Sequence, residues 1–343
     1  MVFDSHGDLD VLHMADVPDP VPGPGEVLID VKAVALNRLD LWVRQGWKGL
    51  NLPKPHILGS DVAGVVRAVG EGVGAGVRHL QVGAEVVLGP GIGCGACGEC
   101  LSGRDNRCPS YHILGETMTG GYAEQVVVPA RNVFLKPPAL SFAEAACLPL
   151  VFTTAWGMLI ERVGLRTNQW LLVHAAGSGV GSAAVQIGKL IGAHVIATAS
   201  TPEKLEKARA LGAEHLIDYS KEDFAKRVWE ITEKRGVDVV FEHTGGATFD
   251  GSLRSLAVGG TVVTCGATSA PTATINIPRL FARQLSIVGH TMGSLAAMLP
   301  ILEHAGAGTL NPVLDRVMPL SDAKDAHRLL AERAQFGKVV LQP

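Results

Sequence analysis

The stretch Trp170-Leu171-Leu172-Val173-His174-Ala175-Ala176-Gly177-Ser178-Gly179-Val180-Gly181-Ser182 decides the fold. A short apolar run reads as a buried strand, the small residues after it read as a tight turn, and Val180–Ile191 reads as a helix. Strand, small-residue turn and helix together make an anion site. The first N–H groups of the helix are unpaired, its dipole favours negative charge, and small residues let a pyrophosphate approach the backbone. Gly177, Ser178, Gly179 and Val180 are the candidate phosphate contacts. A glycine pair alone is weak evidence, and its weight comes from its setting.

That setting is a regular alternation. Strands are predicted at Trp170–Ala175, His194–Ala199, His215–Tyr219, Val237–Glu242, Gly260–Cys265 and Leu285–Gly289. Helices are predicted at Val180–Ile191, Pro202–Leu211, Glu222–Lys234 and near Phe249–Leu256. Thr201 before Pro202 is an N-cap followed by proline at the first helical position. The series predicts an α/β doubly wound parallel sheet. Residues after its strands, His243, Cys265, Gly266, Ala267, His290 and Thr291, are expected to line the nicotinamide of a dinucleotide.

Upstream the texture is β-rich. Val27–Ala33, Val62–Val69, Glu85–Leu88 and Gln125–Pro129 are β-branched runs punctuated by Gly and Pro, which predicts a barrel-like domain. Ser141-Phe142-Ala143-Glu144 is a capping box where the texture changes. The tail, with a helix near Leu295–His304, a strand at Val317–Leu320, a helix at Ser321–Arg333 and a strand at Lys338–Leu341, is expected to return to the first domain. The expected division is 1–151, 152–291 and 292–343.

Length and composition agree with two domains. The chain has 343 residues, 47% of them hydrophobic, and its 30 Lys+Arg against 33 Asp+Glu give a net charge of −3. No basic field is present for nucleic acid or anionic lipid. The N-terminus lacks a basic start followed by an apolar run, so a cytoplasmic protein without a membrane segment is expected. Four of the six cysteines, Cys94, Cys97, Cys100 and Cys108, crowd into one short stretch. Their C-x2-C-x2-C-x7-C spacing matches a closed tetrahedral zinc site, with an iron–sulfur cluster as the chemical rival. Cys147 reads as a core residue.

The end of the second parallel strand bears on the choice of dinucleotide. An NAD site normally places a carboxylate there for the ribose 2′-hydroxyl. Here Ser200 and Thr201 are neutral donors and Lys204 adds charge, so NADP(H) is expected over NAD(H). Lys204 as a solvated helix residue is the bland alternative.

Taken together, the chain resembles the medium-chain dehydrogenase/reductase superfamily, which contains zinc alcohol dehydrogenases and quinone oxidoreductases. The resemblance runs through Pro24-Gly25-Glu26-Val27-Leu28, Gly59–Gly64, the thiolate lobe, Gly120-Gly121-Tyr122-Ala123-Glu124, the glycine turn, Ala208–Ala213 and Gly337-Lys338-Val339-Val340-Leu341. It implies a GroES-like β domain interrupted by a Rossmann domain, with the active site in the cleft between them, one structural zinc, a small-molecule substrate, and a homodimer or homotetramer. It also implies cofactor contacts from Thr154 and Lys338, the latter otherwise an exposed tail lysine.

The departures matter most. The family's three catalytic-zinc ligands fall at Asn37, Ser60 and Leu150, and Asp61 keeps an acid where the family has Glu. An amide, a hydroxyl and an aliphatic group with one carboxylate make a poor zinc site; His56 and His112 are the residues available to improvise one. Asn37 with Asp40, and the neutral strand end with Lys204 and Tyr219, look like the zinc-free quinone oxidoreductase branch. Expected reacting-site residues are therefore Asn37 as a donor, Asp40, Ser60 and Asp61, with Trp42 and Trp47 either stacking on a planar acceptor or packing in the core. The activity implied is NADPH-dependent hydride transfer to a quinone, enone or activated carbonyl. An alcohol dehydrogenase and an NADPH-binding protein without catalysis are the alternatives.

Overall fold

A computed structural model describes residues 1–73 and 80–343. The chain forms two compact units: Met1–Leu150 with Ser294–Gly308 and Pro312–Pro343, and Val151–Gly293 with Thr309–Asn311.

The first unit begins with β1 (Glu26–Ala35), α1 (Arg38–Gln45), β2 (Asp61–Val69) and β3 (Glu85–Leu88). A lobe follows, with the small ladder β4 (Gly91–Ile92) and β5 (His112–Ile113) around α2 (Gly98–Leu101). Next come β6 (Gln125–Pro129), β7 (Val133–Leu135), α3 (Phe142–Ala146) and α4 (Pro149–Trp156), the last running into the second unit. The capping box forms at α3: Ser141 Oγ accepts from the Glu144 amide, and the Glu144 carboxylate accepts from the Ser141 amide.

The second unit continues with β8 (Trp170–Val173), α5 (Gly179–Ile191), β9 (His194–Ala199), α6 (Pro202–Leu211), β10 (His215–Asp218) and α7 (Phe224–Ile231). It closes with β11 (Val237–Glu242), α8 (Gly246–Ser255), β12 (Leu256–Thr264), α9 (Ile277–Ala282) and β13 (Ser286–Gly289). The sheet order is β10-β9-β8-β11-β12-β13, and every neighbour is parallel. Chain order reverses between β8 and β11, and open α/β sheets bind their ligands at that switch point. The core of this sheet includes Leu172, Ile196, Val240 and Val262, all fully buried.

The chain then returns with α10 (Met298–Gly306), β14 (Leu314–Pro319), α11 (Ala323–Ala331) and β15 (Lys338–Gln342). The larger sheet runs β14-β15-β1-β2-β3-β7, with β6 also on β1. Its register explains the site that follows: Ala35 on β1 faces both Asp61 on β2 and Val340 on β15. The residues just beyond these pairs, Asn37 and Lys338, therefore meet.

Several element ends differ from the sequence expectation. The helix expected at Glu222–Lys234 is shorter, because Asp223 caps it through the Ala225 and Lys226 amides and Glu233 and Lys234 adopt positive φ. The strand expected from Gly260 starts at Leu256, joined by a register irregularity against β11. The tail strand runs Leu314–Pro319, and Leu320 lies in the turn after it. Among the described residues no helix is long and apolar enough to cross a membrane.

Candidate active site and metal centre

At the glycine turn, Ser178 caps α5 by accepting from the Gly181 amide at 2.9 Å. A side chain at Gly181 would sit 2.5 Å from the Ala175 carbonyl oxygen, so the strand and helix approach more closely than any Cβ permits. Thr201 caps α6 through the Lys204 amide at 3.3 Å, which leaves its hydroxyl hydrogen to donate elsewhere. The Tyr219 amide bonds the Ala199 carbonyl at 3.3 Å, so Ser200, Thr201, Lys204 and Tyr219 share the carboxyl ends of β9 and β10. Asp218 is a carboxylate at the same edge that sequence reading passed over. It is held by Ser220 and by Lys221 at 3.1 Å, and hydrogen bonds from Ser220 hold its pKa below the ordinary carboxylate range.

Beneath this edge lies a buried polar chain that the sequence did not announce. Glu242, at the end of β11, accepts from the Thr244 amide at 2.6 Å and the Gly245 amide at 3.1 Å with one oxygen. Its other oxygen accepts from the Thr248 and Ser252 hydroxyls, both at 2.8 Å. Burial opposes its charge, but the His174 ring and these donors outweigh that and hold its pKa below normal. Ser252 has one hydrogen, shared between Glu242 and the Thr248 carbonyl, so it accepts from His174 Nε2 at 2.9 Å. Burial pushes the His174 imidazole down to about 4, and it is neutral near pH 7. The His243 ring donates to the His174 carbonyl at 2.9 Å, tying the turn after β11 to the glycine turn after β8. Gly245 sits at φ 90°, where a Cβ would also meet Ala270 O at 2.6 Å. Cys265, Gly266, Ala267, His290 and Thr291 follow β12 and β13 on this same edge. Burial raises the Cys265 thiol to about 12, so it stays protonated. Thr154 lies in α4, its hydroxyl 4.0 Å from Met292 Sδ.

In the first unit, Asn37, Asp61 and Lys338 form one buried network. Lys338 Nζ donates to Asn37 Oδ1 at 2.5 Å and to Asp61 Oδ2 at 2.8 Å. Asn37 Nδ2 donates to the same Asp61 oxygen at 2.9 Å, and the Leu150 amide donates to the other at 2.8 Å. Lys338 is thus not an exposed tail lysine, and the Asn37 amide is committed to its neighbours. Asp40 accepts from the Asn37 amide at 2.6 Å and the Gly59 amide at 3.1 Å. Burial nonetheless raises its carboxyl to about 6, against those bonds and the Lys338 charge. Ser60 is fully buried, and its hydroxyl finds no partner among the described residues. Trp42 and Trp47 are 36% and 46% exposed, so neither is a core side chain.

The three positions to which the resemblance assigns a catalytic zinc, Asn37, Ser60 and Leu150, offer an amide tied to an ammonium, a hydroxyl and an aliphatic chain. Of the two nearby carboxylates, Asp61 already carries Lys338, Asn37 and the Leu150 amide, and Asp40 the Asn37 and Gly59 amides. Such a donor set does not fit a divalent ion. His56 bonds the Gly115 carbonyl and His112 the Thr117 hydroxyl.

The cysteine lobe is different. The ligand atoms of Cys94, Cys97, Cys100 and Cys108 lie within 4.8 Å of one another, and among the described residues they form the group of His, Cys and acidic side chains able to hold a metal. Tetrahedral Zn–S bonds of about 2.3 Å place sulfurs about 3.8 Å apart, and Cys94 and Cys100 are 4.0 Å apart. Amides of Ala96 and Cys97 point at Cys94 Sγ and lower that thiol to about 6, toward the thiolate a metal requires. Four protein ligands leave no open position, which makes the site structural.

Residues 23–138 match the family model of the alcohol dehydrogenase GroES-like domain, and residues 179–305 that of the zinc-binding dehydrogenases. A zinc-type alcohol dehydrogenase-like protein of Schizosaccharomyces pombe is 33% identical, over 95% of this chain and 93% of its own. A crotonyl-CoA reductase of Streptomyces collinus is 32% identical, over 97% and 82%. A crystal structure of an NAD-dependent alcohol dehydrogenase is 49% identical, with a TM-score of 0.96 over 100% of this chain and 98% of that one.

Proposed function

Because this chain belongs to the medium-chain dehydrogenase/reductase superfamily, we propose that it is an NADPH-dependent oxidoreductase that reduces an enone, a quinone or another activated carbonyl without a catalytic metal. The observation that carries this reading is the Asn37–Asp61–Lys338 network, in which a buried lysine ammonium bonds Asn37 and Asp61, positions that the resemblance assigns to a zinc ligand and the family's acid. Without a Lewis acid on the reacting oxygen, simple alcohol oxidation at neutral pH becomes hard. A conjugated acceptor delocalises the arriving charge itself and asks for only a donor and a dry surrounding. The relative named for crotonyl-CoA supports a conjugated acceptor.

NADPH, when bound, supplies the hydride. The amides of the glycine turn hold its pyrophosphate, and Ser200, Thr201, Lys204 and Tyr219 hold the 2′-phosphate. Thr154, His243, Cys265, Gly266, Ala267, His290 and Thr291 position the nicotinamide, and the third hydrogen of the Lys338 ammonium is left for a cofactor phosphate. Asn37 holds Lys338 in place, Asp40 fixes the backbone at Asn37 and Gly59, and the Ser60 hydroxyl is the donor for the acceptor oxygen. Trp42 and Trp47 offer flat apolar faces to a planar acceptor. The four cysteines hold a structural zinc, and the β13 edge of the parallel sheet supports self-association into a homodimer or homotetramer.

A second reading, an NAD-linked alcohol dehydrogenase, is favoured by the 49% identical structure. One experiment separates them: cofactor oxidation with NADPH and with NADH across enones, quinones and aldehydes, alongside zinc quantification. Turnover of enones or quinones with NADPH at about one zinc per chain is expected. About two zincs per chain with NAD-linked alcohol oxidation would establish the second reading instead.

A further inference from the structure

We propose that Arg131 is a positioning residue for the metal of the cysteine lobe: it holds the turn at residues 93–97 against the ligand sulfurs and offsets their charge. This rests on the reading of the lobe as a structural zinc site and deepens it.

The turn acts through its amides. Cys94 N donates to Cys108 Sγ at 3.3 Å, Gly95 N donates to Cys100 Sγ, and the Ala96 and Cys97 amides donate to Cys94 Sγ at 3.5 and 3.3 Å. Consecutive N–H groups thus point at three of the four sulfurs. Such bonds orient metal ligands and tune their charge. They last only while the backbone keeps this shape, and Gly95 sits at φ 77°, a conformation that favours glycine.

Arg131 grips the turn from outside. With Asn132 it lies in the short 3-10 turn between β6 and β7. Its Nη2 donates to the Gly93 carbonyl at 2.5 Å. A Cβ on Gly95 would stand 3.4 Å from both Cζ and Nη1 of the guanidinium, so Arg131 packs directly on that glycine. A Cβ on Gly93 would meet Cys100 Sγ at 2.8 Å, which places the residue held by Arg131 against a ligand sulfur. Asn132 extends the grip backwards, donating from Nδ2 to the carbonyls of Gly89 at 2.8 Å and Gly91 at 2.7 Å. One turn therefore holds the carbonyls of three alternate residues on the way into the lobe.

Charge points the same way. A divalent zinc with four thiolates carries an excess of negative charge. Arg104 is spent on Glu99 at 2.8 Å, whereas Arg131 makes no ion pair with a carboxylate among the described residues. Its guanidinium stays protonated at all ordinary pH and is left to face the thiolate centre. Arg131 is exposed, so salt screens this attraction and gives it a signature.

The test follows transfer of zinc from the whole protein to an excess of a chromogenic chelator. Wild type is expected to hold about one zinc per chain at the start. Arg131→Ala is expected to release it about tenfold faster, and Arg131→Lys, which keeps the charge, to recover part of that difference. The gap between wild type and Arg131→Ala should narrow as sodium chloride rises from about 0.05 M to about 0.5 M, which a purely structural contact would not do. If Arg131→Ala does not fold, Arg131→Gln takes its place in the same comparison. Equal release rates in low salt, or a gap that neither lysine nor salt reduces, would overturn the proposal and leave the zinc reading standing. A wild type without zinc would overturn both.

Discussion

The ammonium of Lys338 lies 2.8 Å from Oδ2 of Asp61, and both side chains are at most 4% exposed. The pair joins the beginning of β15 to the beginning of β2, and Asn37 closes it into a triangle. Breaking a buried pair from one side strands the other charge, which costs about 3–5 kcal/mol. Lys338→Met should lower unfolding free energy in urea by that order, whereas Lys338→Met with Asp61→Leu should recover much of the loss. Equal stability of the single variant and the wild type would mean the pair is solvated.

Asp40 gives a pH-dependent prediction of defined sign. Its folded-state pKa is about 6 against 3.8 for a free carboxyl, so the folded protein binds more protons between those values. Its contribution to stability therefore falls as pH rises through that window, by up to about 3 kcal/mol. Asp40→Asn removes the titration. The stability of the variant relative to wild type should rise by up to that amount between about pH 4 and pH 7. A pH-independent difference would show that the carboxyl titrates normally.

Glu242 shapes the turn after β11 through two amides and two hydroxyls. Glu242→Gln keeps the size but replaces one acceptor with a donor facing other donors. NADPH affinity, followed by fluorescence titration, is expected to fall about tenfold, or about 1.4 kcal/mol. Unchanged affinity would detach this turn from the cofactor.

Lys204→Ala is expected to raise KM for NADPH about tenfold, corresponding to about 1.4 kcal/mol, and to leave KM for NADH unchanged. Parallel rises with both cofactors would place Lys204 outside the 2′-phosphate contacts.

Removing the metal from the cysteine lobe by chelation, or substituting Cys97→Ser, should lower Tm by several degrees and release about one zinc per chain. Retention of Tm after complete zinc loss would make the lobe self-supporting.

The parallel sheet was legible because its signals are local. The glycine turn, the Thr201 cap with Pro202, and six apolar runs each announce themselves within a dozen residues. The four cysteines were equally plain, since ligand spacing is a short-range property. Lys338 was placed near the cofactor by resemblance alone, because its partners Asn37 and Asp61 are brought to it by strand register across hundreds of residues. Glu242 read as the last residue of a strand. Its role depends on Ser252 and Thr248 one helix later and on His174 from another strand, and no window of sequence contains all four.

The placement of β15 against β1 also dictates an order of assembly. The parallel-sheet unit draws almost all its residues from the middle of the chain, so a ribosome delivers it complete while the barrel still lacks its last strands. Until residue 338 emerges, the carboxylate of Asp61 lacks its Lys338 partner, and Val34 and Ala35 of β1, beyond the reach of β6, lack their β15 partners. The β-rich unit therefore completes its pairing on that side only when β15 (Lys338–Gln342) is added.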